Sequence, residues 1–172
     1  MIKAKMSAKI YLLLDDLRSA HNVGSILRTA EGLGVHQVYL CGITPYPKLE
    51  KNDQRLPYLA EKINKRIAKT ALGAELSLKW QYSSSALDIL KILKASGVEI
   101  VALEQDAKSI ALNEFHAQSN ILLIVGNEIT GVSPELKLIC DQIVEIPMAG
   151  QKESYNVSAA AAMALFYLTL ML

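Results

Sequence analysis

Apolar residues along the chain form short continuous runs, and between these runs they recur with helical spacing. The runs are rich in Val, Ile and Leu, which is typical of parallel strands covered on both faces. They are residues 9–14, Gln37–Cys41, Val98–Leu103, Ile121–Val125 and Gln142–Ile146. Helical spacing is found at Ser25–Leu33, Ser85–Ala95 and Pro134–Ile139 and in the C-terminal segment. Because strands and helices alternate, the pattern predicts an α/β fold, a parallel sheet flanked by helices.

The C-terminal segment Asn156–Leu172 contains no charged side chain, and five alanines crowd its first half. A membrane-spanning helix needs about 20 apolar residues, and this segment is shorter and has no Lys or Arg after it. A helix that is apolar on every side is otherwise buried on every side. We therefore expect a second copy of the chain to cover part of it, which predicts a homodimer. A membrane anchor is the weaker alternative.

The composition fits one soluble domain over residues 1–172, since about half of the 172 residues are apolar and can form a sizeable core. The formal net charge is only +1, so a surface for nucleic acid must come from local clustering of cations. Cys41 and Cys140 form no CxxC pair and are expected to be reduced thiols of a cytoplasmic protein. The apolar run after the N-terminal lysines is too short for a signal peptide.

A local cluster of cations lies in the segment Thr44–Thr70, which has seven Lys or Arg against three Asp or Glu. The ordinary interpretation is a solvated loop followed by a surface helix. The functional interpretation is an arm that binds phosphates, because clustered cations release condensed counterions from nucleic acid. Tyr46 and Tyr58 lie within it and are candidates to stack on bases, although isolated tyrosines more often pack into the protein.

Three polar turns follow predicted strands. The first includes Asn22, a good helix N-cap, then Gly24, which leaves room for another group to approach the backbone, and Arg28, whose guanidinium is close enough to lie over the same strand end. A capped helix with a surface arginine would explain the same residues.

The second turn begins Gly126-Asn127-Glu128 and ends at Ser133-Pro134, a strong helix start. Capping does not explain a carboxylate beside a glycine at a strand's carboxyl end, where ligands of α/β sheets bind. The third turn runs from Ile146 to Ser158. Ser154 or Asn156 can cap the helix that follows, and the surplus of polar groups indicates a site.

Several common chemistries lack their motifs. The chain has no GxGxxG after a strand, no GxxxxGK[ST] phosphate loop and no GxSxG nucleophile elbow. It also has no His or Cys at metal-ligand spacing, so no metal is expected.

The three turns closely resemble the three motifs of the SpoU/TrmH family of RNA methyltransferases, in the SPOUT superfamily. The matching residues are the Asn-x-Gly-x-x-x-Arg from Asn22, the Gly-Asn-Glu-x-x-Gly from Gly126, and the Ile-Pro-Met-x-Gly and Ser-x-Asn-Val-Ser from Ile146 and Ser154. The resemblance extends from about Lys9 to the C-terminus.

This resemblance implies a C-terminal trefoil knot, a homodimer, and S-adenosylmethionine (SAM) as the cofactor. It implies that the enzyme transfers a methyl group to a ribose 2'-hydroxyl of tRNA or rRNA. The residues implied to bind SAM, largely through backbone groups, are Leu103, Gly126, Ile146, Ser154 and Tyr155.

The resemblance also implies catalytic roles. Arg28 would activate the 2'-hydroxyl, while Asn22, Glu128 and Asn156 would orient the arginine and the ribose. A fixed cation favours the oxyanion as it forms. Because arginine is hardly a base, the proton acceptor stays open, and a substrate phosphate is one candidate.

Two features depart from the family pattern. Tyr155 stands where the family usually has Leu, and the sequence has neither the N-terminal RNA-binding domain nor the C-terminal extension of some members. Substrate capture would then fall to Thr44–Thr70 or to another protein. The alternative function is a catalytically inactive protein of the same fold that binds RNA or SAM, against which the intact Asn22, Arg28, Glu128 and Asn156 argue.

Overall fold

The structure, a computed structural model, describes residues 8–117 and 119–172. The first seven residues, which contributed to the expectation that no signal peptide is present, lie outside the described residues. The strands are β1 (Ile10–Asp15), β2 (Gln37–Cys41), β3 (Trp80–Ser83), β4 (Glu99–Leu103), β5 (Ile110–Ala111), β6 (Ile121–Val125) and β7 (Gln142–Glu145). The α-helices are α1 (Ala20–Gly32), α2 (Pro57–Ala71), α3 (Ala74–Ser77), α4 (Ala86–Ala95), α5 (Pro134–Lys137) and α6 (Val157–Met171).

The strands form one seven-stranded sheet in the order β3-β2-β1-β6-β4-β7-β5, and every neighbouring pair is parallel. The predicted α/β fold with a parallel sheet flanked by helices is therefore confirmed. All five predicted strand runs are strands of this sheet. β3 and β5, which the hydrophobic pattern does not predict, lie at its two edges.

The core has two layers, one on each face of the sheet, because successive side chains of a strand point to opposite faces. Leu12 and Leu14 of β1 pack with residues of α1, α2 and α6 on one face. Leu13 packs with residues of α4 and α5 on the other face. This double coverage explains why the central strands are continuous apolar runs.

α1 and α2 pack closely because residue 24 has no side chain. A Cβ atom at Gly24 would overlap the Ile67 carbonyl oxygen and the Thr70 hydroxyl of α2. The Thr70 hydroxyl donates a hydrogen bond of 2.9 Å to the carbonyl oxygen of His21. The group that approaches the backbone at Gly24 is thus a neighbouring helix.

α6 buries only one of its sides in the described part of the chain. Ala161, Ala164, Leu165 and Leu168 are fully buried, whereas Met163, Phe166 and Leu170 are exposed. The helix has 15 residues, and none of the helices in the described ranges is both long and apolar enough to cross a membrane.

Candidate functional site

A cleft of about 480 Å³ lies at the carboxyl ends of β4, β6 and β7, the position at which ligands bind in open α/β sheets. The five residues expected to bind the cofactor all line it; they are Leu103, Gly126, Ile146, Ser154 and Tyr155. Glu128 and Asn156, two of the four residues expected to be catalytic, line it as well. The volume lies within the usual range for small-molecule sites.

Glu128 joins the second turn to the first. Its carboxylate accepts hydrogen bonds from the backbone N–H groups of Arg18 at 2.9 Å and Ser19 at 3.1 Å, and from the side-chain amide of Asn22 at 3.1 Å. Partial burial acts to raise the pKa of Glu128, but these hydrogen bonds outweigh it and hold the pKa below its usual range. The group is therefore a carboxylate at neutral pH.

Asn22 is not the N-cap of α1, which corrects the expectation from sequence. The helix begins at Ala20, and the cap is Ser19, whose hydroxyl accepts a hydrogen bond from the backbone N–H of Asn22 at 3.2 Å. Asn22 lies in the first turn, so its side-chain amide is free to bind Glu128. Both Ser and Asn are good caps, and the contact with Glu128 explains which of them takes that role.

Asn156 joins the third turn to the first. It is the N-cap of α6, and its Oδ1 accepts hydrogen bonds from the backbone N–H and the hydroxyl of Ser158 at 2.9 and 2.6 Å. Its Nδ2 donates to Oδ1 of Asn22 at 3.4 Å. Asn22, Glu128 and Asn156 thus form one hydrogen-bond network that connects all three turns.

The second turn owes its shape to Asn127 and two glycines. Oδ1 of Asn127 accepts hydrogen bonds from the backbone N–H groups of Ile129 and Thr130. The turn closes on itself through paired backbone hydrogen bonds between Asn127 and Gly131, and Gly131 has a φ of 69°. A Cβ atom at Gly126 would overlap the backbone of Gly131. The polar turn is therefore folded tightly against the strand end.

Sequence reasoning missed two residues directly after β4. The carboxylate of Glu104 accepts hydrogen bonds from the backbone N–H groups of Val132 at 2.7 Å and Gln105 at 3.0 Å. The side-chain amide of Gln105 donates to the carbonyl oxygen of Glu153 in the third turn at 2.9 Å. Both residues line the cleft. An acid and an amide immediately after an apolar strand were the available signal.

The lining of the cleft is acidic. Glu104, Glu128 and Glu145 line it, and no Lys or Arg is among the described residues that do. The apolar part is formed by Leu103, Val125 and other side chains at the strand ends. This lining suits a neutral or cationic ligand with an apolar portion better than it suits a phosphate.

Arg28 is not part of this cleft. It lies six residues after Asn22 on α1, and at 100° per residue its side chain projects about 120° away from that of Asn22. Arg28 is exposed and lines a separate depression between α1 and α2 with Ser25, Thr29, Lys69 and Thr70. The structure therefore brings together three of the four expected catalytic residues within one chain.

The segment Thr44–Thr70 contains a loop and α2. Tyr46 is buried and stacks on Tyr82 with ring centroids 4.1 Å apart, while the guanidinium of Arg55 lies 3.5 Å from the Tyr46 ring centre. Arg55 also forms a 2.6 Å ion pair with Asp53. Tyr46 is therefore a packing residue and not a free ring for a base, whereas Tyr58 is 71% exposed.

The family model named SpoU rRNA Methylase matches residues 9–166. The chain belongs to the SpoU rRNA methylase family. The resemblance that the three turns suggest is therefore confirmed.

Similar proteins with described activities include RNA methyltransferases. The chain is 32% identical over 157 residues to the 23S rRNA (guanosine-2'-O-)-methyltransferase RlmB of Acinetobacter baylyi, covering 91% of this chain and 58% of that protein. It is 25% identical over 163 residues to the tRNA (guanosine(18)-2'-O)-methyltransferase of Escherichia coli, covering 95% and 64%. The chain thus spans about three fifths of the length of these SpoU family relatives.

A solved structure shares the fold. The crystal structure of the SpoU methyltransferase AviRb from Streptomyces viridochromogenes, in complex with AdoMet, superposes with a TM-score of 0.77 at 25% identity. The match covers 95% of this chain and 60% of AviRb. The fold described above is therefore that of SpoU methyltransferases.

Proposed function

We propose that this chain is a SAM-dependent RNA methyltransferase that transfers a methyl group to a ribose 2'-hydroxyl of tRNA or rRNA. The observation that carries the proposal is the network of Asn22, Glu128 and Asn156, which joins the three turns at the rim of one cleft. Membership of the SpoU family and the names of the two relatives support the reaction and the substrate class.

The residues of the cleft fit SAM. Apolar strand ends such as Leu103 and Ile146 face the ligand space together with the backbone of Gly126. The acidic lining suits a sulfonium cation, since opposite charges attract strongly where water is partly excluded. When bound, SAM supplies the methyl group as an electrophile. We assign its binding to Leu103, Gly126, Ile146, Ser154 and Tyr155.

The chain's own residues position the ribose and stabilise charge. Arg28 carries a permanent positive charge and favours the 2'-oxyanion as the hydroxyl attacks the methyl group, while a phosphate of the RNA substrate accepts the proton. Glu128 fixes the backbone at Arg18 and Ser19, where α1 begins, and holds the amide of Asn22. Asn156 fixes the start of α6 beside it. Most of the catalytic effect then comes from positioning the hydroxyl in line with the methyl group.

Because Arg28 projects away from its own cleft, we infer that it acts in the cleft of a second copy. α1 packs against α6, and α6 exposes the apolar stripe of Met163, Phe166 and Leu170. A two-fold interface on this stripe would bury apolar area and bring α1 of one protomer close to the partner. The homodimer and the completed site are then one proposal.

We also infer the trefoil knot that the family resemblance implies, within a single domain over residues 1–172 of a cytoplasmic protein. The contact that supports the knot is made by Tyr167 of α6. Its hydroxyl proton is shared between the carbonyl oxygens of Asn113 and Phe115, at 3.2 and 3.1 Å, in the segment that connects β5 to β6. The C-terminal helix is therefore fastened to an earlier connection of the sheet.

The first test is transfer of a tritiated methyl group from SAM to bulk RNA from cells that lack the gene, followed by mapping of 2'-O-methyl sites. Arg28→Ala should leave SAM affinity unchanged and lower transfer by at least about 100-fold, the usual effect of removing an oxyanion-stabilising group. Lys91→Ala, which changes an exposed cation of α4, is the control and should transfer normally. Full transfer by Arg28→Ala would refute the role of Arg28.

The second test separates action within one chain from action across a dimer. Chains with Arg28→Ala and chains with Glu128→Gln, each inactive alone, are unfolded, mixed in equal amounts and refolded. Random pairing makes half of the dimers mixed. If Arg28 acts in the partner's cleft, each mixed dimer has one complete site out of two, so about 25% of wild-type activity returns. If Arg28 acts in its own chain, the mixture stays inactive and the dimeric site is wrong.

A further inference from the structure

The outer face of α2 carries a continuous basic stripe. Its exposed residues are Tyr58, Lys62, Lys65, Arg66 and Lys69. At 100° per residue they fall within an arc of about 100°. Ala60, Ile67 and Ala71 lie on the opposite side and are buried. The apolar side of α2 thus packs on the core, and the positively charged side is exposed to solvent.

The cations of this face are poorly neutralised by the protein. The only acid in α2 is Glu61, and it is shared between Lys48 at 3.3 Å and Lys65 at 3.7 Å. In the described part of the chain, Lys62, Arg66 and Lys69 form no ion pair. Like charges four residues apart on a helix are destabilising. The repulsion along this face would be relieved by a polyanion.

The basic face continues to Arg28. At the end of α2, Lys69 and Thr70 line the depression between α1 and α2 together with Arg28. Two further hydroxyl groups, of Ser25 and Thr29, line it, and no Asp or Glu is among its described lining residues. Anions bound along α2 would therefore lead directly to the residue assigned to the ribose.

A membrane surface does not fit this helix. A helix that lies on a membrane inserts its apolar side among the lipids, and the apolar side of α2 is already packed against α1, as the close approach of Ile67 to Gly24 shows. The stripe itself offers charges and one aromatic ring. Tyr58, at its N-terminal end, is 71% exposed, and an exposed ring next to a row of cations is typical of surfaces that bind single strands.

We propose that the outer face of α2 binds the phosphodiester backbone of single-stranded RNA next to the methylated nucleotide, with Tyr58 stacking on a base. The inference rests on the proposed function, because it deepens how that site captures its substrate. Tyr58 and Lys69 are 11 positions apart, or about 16 Å along the helix, which matches about five stacked nucleotides at roughly 3.4 Å each. The stripe then delivers one ribose to Arg28.

The experiment measures the affinity of the full chain for a fluorescent single-stranded RNA oligonucleotide by anisotropy over a series of KCl concentrations. The test variant combines Lys62→Gln, Arg66→Gln and Lys69→Gln. The matched control combines Lys79→Gln, Lys91→Gln and Lys108→Gln, three exposed cations away from α2. Both variants change the net charge equally and replace solvent-exposed side chains, so both should fold.

The logarithm of the association constant falls linearly with the logarithm of the salt concentration, and loss of three phosphate contacts should make this slope shallower by about 2. The Kd should rise about 100-fold at 0.1 M salt. Tyr58→Ala should weaken binding by about 5- to 100-fold, whereas Tyr58→Phe should bind as the wild type does. A duplex of the same sequence should compete poorly.

An unchanged Kd and salt slope in the α2 variant, or an equal loss in the control variant, would overturn the proposal. Equal competition by the duplex would overturn its single-stranded part. Methyl transfer to bulk RNA is measured in parallel. If the wild type binds RNA through α2 but transfers no methyl group, the proposed function fails and the delivery of a ribose to Arg28 fails with it, while the binding of single-stranded RNA by α2 stands. If the α2 variant binds and methylates like the wild type, only this inference fails.

Discussion

The contact between α1 and α2 can be tested with two glycines of the same helix. A Cβ atom at Gly24 would overlap the Ile67 carbonyl oxygen and the Thr70 hydroxyl, whereas a Cβ atom at Gly32 would meet no atom within 4 Å. Gly24→Ala gains about 1 kcal/mol of helix propensity. It costs about 1–3 kcal/mol through overpacking and about 1 kcal/mol through loss of the hydrogen bond from Thr70.

The net effect expected for Gly24→Ala is a loss of about 1–3 kcal/mol in the free energy of unfolding, which lowers the Tm of a chain this size by about 2–4 °C per kcal/mol. Gly32→Ala should be neutral or stabilising by up to about 1 kcal/mol. Urea titrations followed by far-ultraviolet circular dichroism, at one protein concentration, measure both variants. Equal stability of the two would refute the packing role of Gly24. So would loss of SAM binding by a Gly24→Ala variant that is as stable as the wild type, because that outcome would place a ligand at this glycine.

Three further changes test separate contacts. Burial, with the neighbouring Asp16 carboxylate, raises the pKa of Asp15 to about 6, so the stability that Asp15 contributes is largest below its unfolded pKa near 4 and is lost as the pH rises through 6. Asp15→Asn should therefore stabilise the protein by up to about 3 kcal/mol at pH 8 and progressively less towards pH 4. An equal gain in urea titrations at pH 8 and pH 4 would contradict this. Gln105→Ala removes the hydrogen bond to Glu153 and should weaken SAM binding about 5-fold in calorimetry while RNA affinity is unchanged; wild-type SAM affinity would count against it. A lysine at position 55 cannot keep both the ion pair with Asp53 and the stack on Tyr46, so Arg55→Lys should lower the free energy of unfolding by about 1–3 kcal/mol. An unchanged melting curve would show that the stack contributes little.

The sequence predicts the central strands well because burial on both faces leaves continuous apolar runs. It does not predict β3 because Gln81 of that edge strand is exposed and its neighbours are only half-buried, so neither a continuous run nor a clean alternation results. β5 has two residues, Ile110 and Ala111, which is too short for any periodicity. Edge position and length, both set by tertiary structure, explain the two misses.

At the site, the sequence locates the strand ends but cannot supply the long-range contacts. The choice of Ser19 over Asn22 as the cap of α1 depends on Glu128, which is 106 residues from Asn22. The use of Gly24 depends on α2, and the projection of Arg28 away from the cleft follows from where α1 begins. Family resemblance names the residues that line the cleft, while only the structure shows that Glu104 and Gln105 hold the loops around it.

The network of Asn22, Glu128 and Asn156 also sets the order in which the site can form during synthesis. The two hydrogen-bond partners of Asn22, which are Glu128 and Asn156, lie 106 and 134 residues later in the chain. β1 likewise pairs with β6, so the centre of the sheet is incomplete until residues 121–125 have been made. A nascent chain that ends before Asn156 cannot hold the third turn in place. The binding site therefore forms only after the third turn has been synthesised, and contacts so distant in sequence favour slow folding.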